Sequence, residues 1–296
     1  EAHPQAPVED VQGPLEVLYA IQEWFAKITG LPAVTTQPVA GAQGELVGLK
    51  LFQAYHRDRL DNDRDVVFIP KSAHGTNFAT AVMAGFDPAA GIVHLEALPD
   101  GRVDPEDFDD KIATHGKRLC GVMITNPNTS GVFETDFKAI ADKVHAAGGL
   151  VYMDGANMNA IAGQVDLGAL GVDAVHNNLH KTWTIPHGGG GPGMGPIACK
   201  KHLEVYLPNH PIISDCGPAT GIGAVSAAPW GSSSILSISW MYIKMMGSEG
   251  LKLATQNAIL NANYIANKLK DHFPILYKGK NGNVAHECII DIRKIK

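Results

Sequence analysis

The chain has 296 residues, of which 45% are hydrophobic and 18% are charged, and its formal net charge is −6. This profile is typical of a globular protein with one large α/β domain, or a large domain and part of a second. Basic residues are too dispersed for a nucleic-acid-binding surface, and no apolar run approaches the roughly 20 residues that cross a bilayer. We therefore expect neither nucleic-acid nor membrane partners.

The four cysteines lie far apart in the sequence and form no C-x-x-C pair: Cys120, Cys199, Cys216 and Cys288. This spacing indicates neither a zinc site nor a disulfide framework, and it favours a reducing compartment. The first residues have no basic and apolar targeting pattern, and they also lack an initiator methionine.

Apolar runs and turn residues predict that strands and helices alternate along the chain. The predicted strands are 34–39, 65–70, 91–97, 119–125, 149–154, 196–199 and 284–292. Helices are predicted after Pro14, from 40–45 to about Arg59, after Asn77, from Pro105 to about Thr114, and over 134–147, 235–246 and 249–272. Such alternation indicates a mostly parallel sheet covered by helices, with ligands bound at the carboxyl ends of the strands.

Lys181 follows a strand-like apolar run, lies between His180 and Thr182, and precedes a glycine-rich turn at residues 188–191. A buried, partly desolvated lysine loses its proton more easily, and a neutral amine forms an imine with an aldehyde. We predict that Lys181 binds a cofactor aldehyde in this way. The alternative is a surface lysine, which is the usual environment of an isolated lysine.

Asp154 follows another apolar strand, in the string V-Y-M-D-G-A-N. A carboxylate in this position either caps a helix or keeps a pyridine nitrogen protonated, which makes the ring an electron sink. The pair is more informative than either residue, because a pyridoxal phosphate site needs both an imine-forming lysine and a partner for the pyridinium. The sequence therefore predicts pyridoxal phosphate as the cofactor.

Other residues after the predicted strands are weaker candidates. His74 either stacks on a flat cofactor or faces solvent. The small residues 40–45 open a helix whose free backbone N–H groups either bind a phosphate or belong to an ordinary tight turn. His176, His180 and His187 could form a metal site, but the stretch offers no carboxylate or cysteine at metal-ligand spacing, so we predict no metal.

The sequence resembles a known family over nearly its whole length. The strings that carry the resemblance are S-A-H-G-T-N, M-D-G-A-N-M-N-A, N-L-H-K-T, I-P-H-G-G-G-G-P-G-M-G-P-I, L-P-N-H-P and A-A-P-W-G-S-S-S-I-L. They resemble the pyridoxal-phosphate-bearing half of glycine decarboxylase, the P-protein family of the glycine cleavage system. The resemblance implies the fold-type I architecture of pyridoxal phosphate enzymes.

The resemblance also implies roles for single residues. Lys181 would hold the cofactor, and Asp154 would face the pyridine nitrogen. A more remote resemblance, to the cysteine desulfurase-like branch, places His74 on the ring, Asn157 near its phenolic oxygen, Ala42, Gln43 and His180 around the phosphate, and Asn126 near the substrate carboxylate. The remote family usually has serine at position 178 and glutamine at position 157, where this chain has asparagine.

The implied reaction is the decarboxylation of glycine, with transfer of the aminomethyl group to the lipoyl arm of the H-protein. The turn at 188–195 is a candidate wall for a lipoyl channel. A cofactor-free half of the P-protein is the other expected partner, and the compartment would be the cytoplasm of a bacterium or the mitochondrial matrix of a eukaryote. The alternatives are another fold-type I enzyme, such as a cysteine desulfurase-like lyase, and a non-catalytic partner subunit.

Compared with the family, both ends of the chain look truncated. We expect an N-terminal extension at 1–12, a cofactor-binding large domain at 13–275 and the start of an incomplete small domain at 276–296. The strand predicted at 284–292 would then lack neighbours.

Overall fold

The computed structural model describes residues 3, 5–186 and 193–293. Within these ranges the strands are β1 (Ala33–Thr35), β2 (Val66–Pro70), β3 (Ile92–Leu95), β4 (Leu119–Thr125), β5 (Leu150–Asp154), β6 (Ala174–His176) and β7 (Ile197–Cys199). They form one sheet in the order β1-β7-β6-β5-β4-β2-β3. Neighbours from β6 to β3 are parallel, whereas β7 and β1 pair antiparallel at one edge. The predicted, mostly parallel sheet is confirmed.

The α-helices in the described part of the chain cover both faces of this sheet. They are α1 (Gln12–Thr29), α2 (Gly41–Asp58), α3 (Gly75–Ala84), α4 (Pro105–His115), α5 (Phe137–Ala146), α6 (Leu167–Leu170) and α7 (Leu236–Leu269). Side chains of α1, α4, α5 and α7 share one apolar cluster with Phe68 and Val122 of the sheet. Side chains of α2 and α3 share a second cluster with Val67 and Met123, which point to the opposite face.

Local sequence explains where several helices begin and end. Asp104 caps α4 by accepting hydrogen bonds from the backbone N–H groups of Glu106 and Asp107, and Pro105 occupies the first turn. Helix α1 ends at Gly30, which has a φ of 71° that glycine adopts without strain. Each of these signals lies within a few residues of the helix end that it sets, so the sequence alone predicts these helix ends.

One helix boundary differs from the prediction, and one predicted break between helices is present. Helix α5 begins at Phe137 and not near Glu134, because the Glu134 carboxylate turns inward and accepts a hydrogen bond from the backbone N–H of Val103 at 2.8 Å. The two helices predicted at 235–246 and 249–272 are confirmed: α7 consists of two helical segments that meet at a kink, where Gly247 has a non-helical φ of 60°.

The prediction of a strand at 284–292 is wrong. The structure has only an isolated bridge between Ile275 and Ile290 there. The backbone N–H of Ala285 instead donates to the carbonyl of Gly131, in the loop after β4. The apolar residues of this segment are partly buried against α7, where Val284 and Cys288 share a cluster with Ala262 and Ala266.

The register brings the carboxyl ends of the central strands together. Thr125 pairs with Asp154, and Asp154 pairs with His176. The turns that follow β2, β4, β5 and β6 therefore meet at one edge of the sheet, where the sequence placed its candidate residues. Among the described residues, no helix combines the length and apolarity needed to cross a membrane.

Candidate active site

Asp154 lies at the centre of this edge and is 2% exposed. Its Oδ2 accepts a hydrogen bond from Asn77 Nδ2 at 3.0 Å, and its Oδ1 accepts one from the backbone N–H of Ala156 at 3.0 Å. His176 Nε2 lies 3.5 Å from Oδ1. Hydrogen bonds to both oxygens hold the carboxylate in place, so the arrangement suits a buried partner for a cation.

His176 connects Asp154 to a tyrosine within the core. The Tyr152 hydroxyl and His176 Nδ1 form a hydrogen bond, and the two rings stack with centroids 5.9 Å apart. Burial raises the pKa of Tyr152 well above its ordinary value, and the nearby carboxylates of Glu45 and Asp154 raise it further. Tyr152 therefore remains a neutral phenol, which holds the histidine behind Asp154.

His74, in the turn before α3, and Glu45, in α2, both approach the Asp154 carboxylate. The Thr76 hydroxyl lies 2.6 Å from His74 Nδ1 and donates to Glu45 Oε1 at 2.6 Å. The ring of His74 is exposed at the start of α3, which it caps. The imidazole is therefore exposed and fixed at one nitrogen, which is compatible with stacking on a planar ligand.

Glu45, His74 and Asp154 each place a possible metal-ligand atom within 4.8 Å of the others. Within the described ranges, they are the group whose spacing could hold a metal ion. The histidine pair that the sequence offered as a metal alternative, His176 and His180, is not part of this group. His187, the third histidine of that alternative, lies outside the described residues.

The N-terminus of α2 points to the same edge. Ala40 provides no side-chain cap, so the first backbone N–H groups of α2 remain available to an anion. A Cβ at Gly44 would lie 2.7 Å from His176 Cβ and 3.0 Å from the carbonyl oxygen of Gly195, which shows how closely this turn packs on β6. Ala42 is exposed there. The Gln43 side chain bonds to the backbone N–H of Val39 and the carbonyl of Val225, so only its backbone can serve a phosphate.

Lys181 lies in a turn five residues beyond the end of β6, and its side chain is exposed. The expected burial of this lysine is therefore wrong in this structure, because the turn projects it from the rim of the sheet. The backbone N–H of Lys181 donates to the carbonyl of Asn178 at 3.2 Å. The neighbouring Thr182 hydroxyl accepts from the backbone N–H of Met158 at 2.9 Å, which fixes this turn beside the one after β5.

The remaining candidates lie in the turns around this centre. Asn157 is half-buried, and its Oδ1 accepts from the backbone N–H of Asn159 at 2.9 Å, which leaves its amide N–H₂ as the donor. His180 is half-buried next to Lys181. Asn126 is 1% exposed, and its Oδ1 accepts from the backbone N–H of Glu134 at 2.9 Å. Their proposed contacts with a ligand stay predictions. The glycine turn at 188–191 lies outside the described residues.

Sequence reasoning missed three residues that hold the site together: Glu45, Thr76 and Asn77. Asn77 was predicted only to precede a helix, although its side chain is fully buried against Asp154. The sequence carries no signal for either Glu45 or Asn77, because the burial of both side chains is decided by tertiary packing.

Buried polar atoms that lack a hydrogen-bond partner among the described residues concentrate near this edge. They include Glu45 Oε2, Asn126 Nδ2 and Asn178 Oδ1, and also His176 Nε2 and both amide atoms of Asn177. Because buried polar groups in native proteins are nearly always paired, this concentration is typical of a site for a polar ligand. The uncapped helix, the buried carboxylate and the accessible lysine suit a ligand with a phosphate, a basic ring nitrogen and an aldehyde.

Comparison with known proteins agrees with this geometry. Residues 48–211 match the family model described as aminotransferase class-V, and residues 254–296 match the model described as glycine dehydrogenase, C-terminal domain. Curated relatives include glycine dehydrogenase (decarboxylating) from Pelagibacter ubique, 58% identical, and that from Klebsiella pneumoniae, 51% identical, each over the whole of this chain. The chain spans 31% and 30% of the length of these two relatives.

Among solved structures, a glycine decarboxylase (P-protein) of the glycine cleavage system in inhibitor-bound form is similar, with a TM-score of 0.71 and 21% identity. The match covers 95% of this chain and 64% of that one. At this level of identity the likeness concerns the fold, and it confirms the α/β architecture predicted from the sequence.

Proposed function

Since the chain belongs to the class-V aminotransferase family and, through its relatives, to the glycine dehydrogenases (decarboxylating), we propose that it decarboxylates glycine with pyridoxal phosphate. The observation that carries the proposal is the Asp154 carboxylate, buried and held by Asn77 and the Ala156 N–H at the sheet edge where Lys181 lies. The cofactor is pyridoxal phosphate. The residues present fit each of its polar groups.

Each of these residues has a distinct task. Lys181 would supply the amine that holds the cofactor, and its exposure leaves this amine accessible. Asp154 would keep a proton at the ring nitrogen, and the first N–H groups of α2 would bind the phosphate. His74 would cover one face of the ring, and Asn157 would donate to the phenolic oxygen. When bound, pyridoxal phosphate accepts the electron pair that remains as carbon dioxide leaves glycine.

The family assignment extends the proposal to partners. The aminomethyl group passes to the lipoyl arm of an H-protein, whose disulfide is reduced, and a cofactor-free half of the P-protein accompanies this chain. The relatives are about three times as long as this chain, which leaves room for such a half. The lipoyl channel wall proposed at 188–195 falls mostly outside the described residues.

The alternative of a cysteine desulfurase-like lyase requires a reactive thiolate near the cofactor. Burial raises the pKa of Cys120 to about 12, and burial also raises the pKa values of Cys199 and Cys216. These thiols remain protonated and are poor nucleophiles. The alternative of a non-catalytic partner is disfavoured because Lys181 and Asp154 are both present.

Covalent trapping tests the cofactor assignment. We expect that the full-length protein, loaded with pyridoxal phosphate and reduced with borohydride, carries the cofactor mass on the peptide that contains Lys181. Label on Lys71, Lys200 or Lys201 would contradict the assignment. Release of labelled carbon dioxide from glycine, measured with a lipoylated carrier protein present, tests the reaction itself.

A further inference from the structure

His286 is a buried histidine whose ring has no hydrogen-bond partner among the described residues. Its side chain is 7% exposed, and both Nδ1 and Nε2 lack a partner. The nearest acidic group, Glu287 Oε1, lies 3.8 Å from Nε2, beyond hydrogen-bonding distance. A buried ring in this condition indicates a partner that binds from outside the chain.

The segment that carries His286 is fixed against the active-site edge. The backbone N–H of Ala285 donates to the carbonyl of Gly131 at 2.9 Å. Gly131 has a φ of 79°, and a Cβ there would lie 2.6 Å from the carbonyl oxygen of Glu287. His286 is thus held on the loop that follows β4, the loop that begins with Asn126.

Asn126 and His286 share one feature. The Asn126 amide oxygen is occupied by the backbone N–H of Glu134, so its Nδ2 remains as a buried donor without a partner in the described chain. Two contacting segments therefore each carry a buried donor that lacks an acceptor. A ligand that offers an acceptor to each of them would satisfy both donors.

The two donors indicate the chemistry of that ligand. Burial lowers the pKa of His286, and the Glu287 carboxylate opposes this without reversing it. The ring is therefore a neutral imidazole with one N–H to donate. A carboxylate offers two acceptor oxygens and so can accept from both donors.

We propose that His286, together with Asn126, donates a hydrogen bond to the carboxylate of the amino-acid substrate and thereby selects an α-amino acid over an amine. This inference rests on the proposed function. A neutral donor also suits decarboxylation, because a full positive charge would stabilise the substrate carboxylate, whose charge is lost as carbon dioxide forms. His286 orients this group without holding it as an ion pair.

Ligand binding to the full-length holoenzyme tests the proposal without requiring turnover. Glycine and methylamine, which lacks the carboxylate, are each titrated while the absorbance of the bound cofactor is followed. For His286→Ala we expect the Kd for glycine to rise roughly tenfold or more, as loss of a hydrogen bond to a charged group implies, with the Kd for methylamine unchanged within about twofold. His286→Gln keeps an N–H donor and is expected to recover part of the glycine affinity.

His272→Ala provides the matched control, because His272 is an exposed histidine on the same part of the chain; both Kd values should remain those of the wild type. An unchanged glycine Kd in His286→Ala, or an equal rise for glycine and methylamine, would overturn the inference. If His286→Ala does not fold, His286→Leu, which also removes the N–H donor, is titrated in its place and is judged by the same two Kd values. The proposed function is judged separately, by release of carbon dioxide from glycine by the wild-type protein.

Discussion

At the scale of single residues, Asp154 depends on groups from its own strand and turn, from α3 and from β6. Asn77 and the Ala156 N–H hold its two oxygens, and His176 lies behind it with Tyr152. All of these are buried or half-buried, so the carboxylate has little freedom to rotate. This rigidity is what a group needs if it is to keep a proton on a ring nitrogen during a reaction.

Asp154→Asn removes the negative charge but preserves the size of the side chain. We expect the variant to bind pyridoxal phosphate and to lose turnover by at least roughly 100-fold, the range found when a preorganised electrostatic group is removed. Cofactor absorbance measures binding, and labelled carbon dioxide release measures turnover. Activity near that of the wild type would show that Asp154 is not the partner of the ring.

At the scale of secondary structure, the first turn of α2 is the element proposed to bind a phosphate. It lies close to His176 and Asn178 only because the glycines at 41 and 44 have no side chain. The next turn carries Glu45 into contact with Thr76, which links α2 to the start of α3. A shift of the first turn would therefore move the N–H groups proposed to bind the phosphate.

Gly44→Ala tests this contact. The added Cβ would meet His176 Cβ at 2.7 Å and the carbonyl oxygen of Gly195 at 3.0 Å, and neither the buried ring nor the backbone can move freely. We expect roughly tenfold weaker binding of pyridoxal phosphate with the helix content retained, measured by cofactor titration and circular dichroism. Gly13→Ala in α1 is the control, since its Cβ would meet no atom within 4 Å; equal affinities of the two variants would contradict this account.

At the scale of the whole molecule, Asp173 joins several elements at the edge of the sheet opposite the candidate site. Its carboxylate accepts from the backbone N–H of Val151 at 2.8 Å and from His145 Nε2 at 2.7 Å, and it pairs with Lys200 at 3.1 Å. Burial alone would raise its pKa, but the hydrogen bond and charge of His145, the charge of Lys200 and the Val151 N–H outweigh burial and lower it.

A lowered folded-state pKa means that the ionised carboxylate stabilises the folded chain. This stabilisation is complete above the unfolded-state pKa of about 3.9 and is lost as the pH falls through the lower folded-state value. We expect Asp173→Asn to lower the free energy of unfolding at pH 7 by roughly 3–5 kcal/mol, as for other broken buried pairs, with a smaller difference below about pH 4.

Thermal unfolding of both proteins across this pH range measures the effect. Asp142→Asn is the control, because Asp142 forms an exposed pair with Lys138 within α5 and should contribute little. A constant difference between wild type and Asp173→Asn at every pH would contradict the assignment. The division of the chain at 275–276 into a large and a small domain stays a proposal, and α7 ends six residues before it.

The sequence by itself determined the alternation of strands and helices, because apolar runs, caps and glycine stops act over a few residues. It also predicted Lys181 and Asp154, since both follow apolar strands and their combination is specific to one cofactor. Tertiary structure decided the rest: the register that pairs Asp154 with His176, the burial of Asn77 and Glu45, and the exposure of Lys181. It also placed residues 284–292 against the loop after β4 and not in the sheet, because the hydrogen-bond partners of that segment come from distant parts of the chain, which no local pattern specifies.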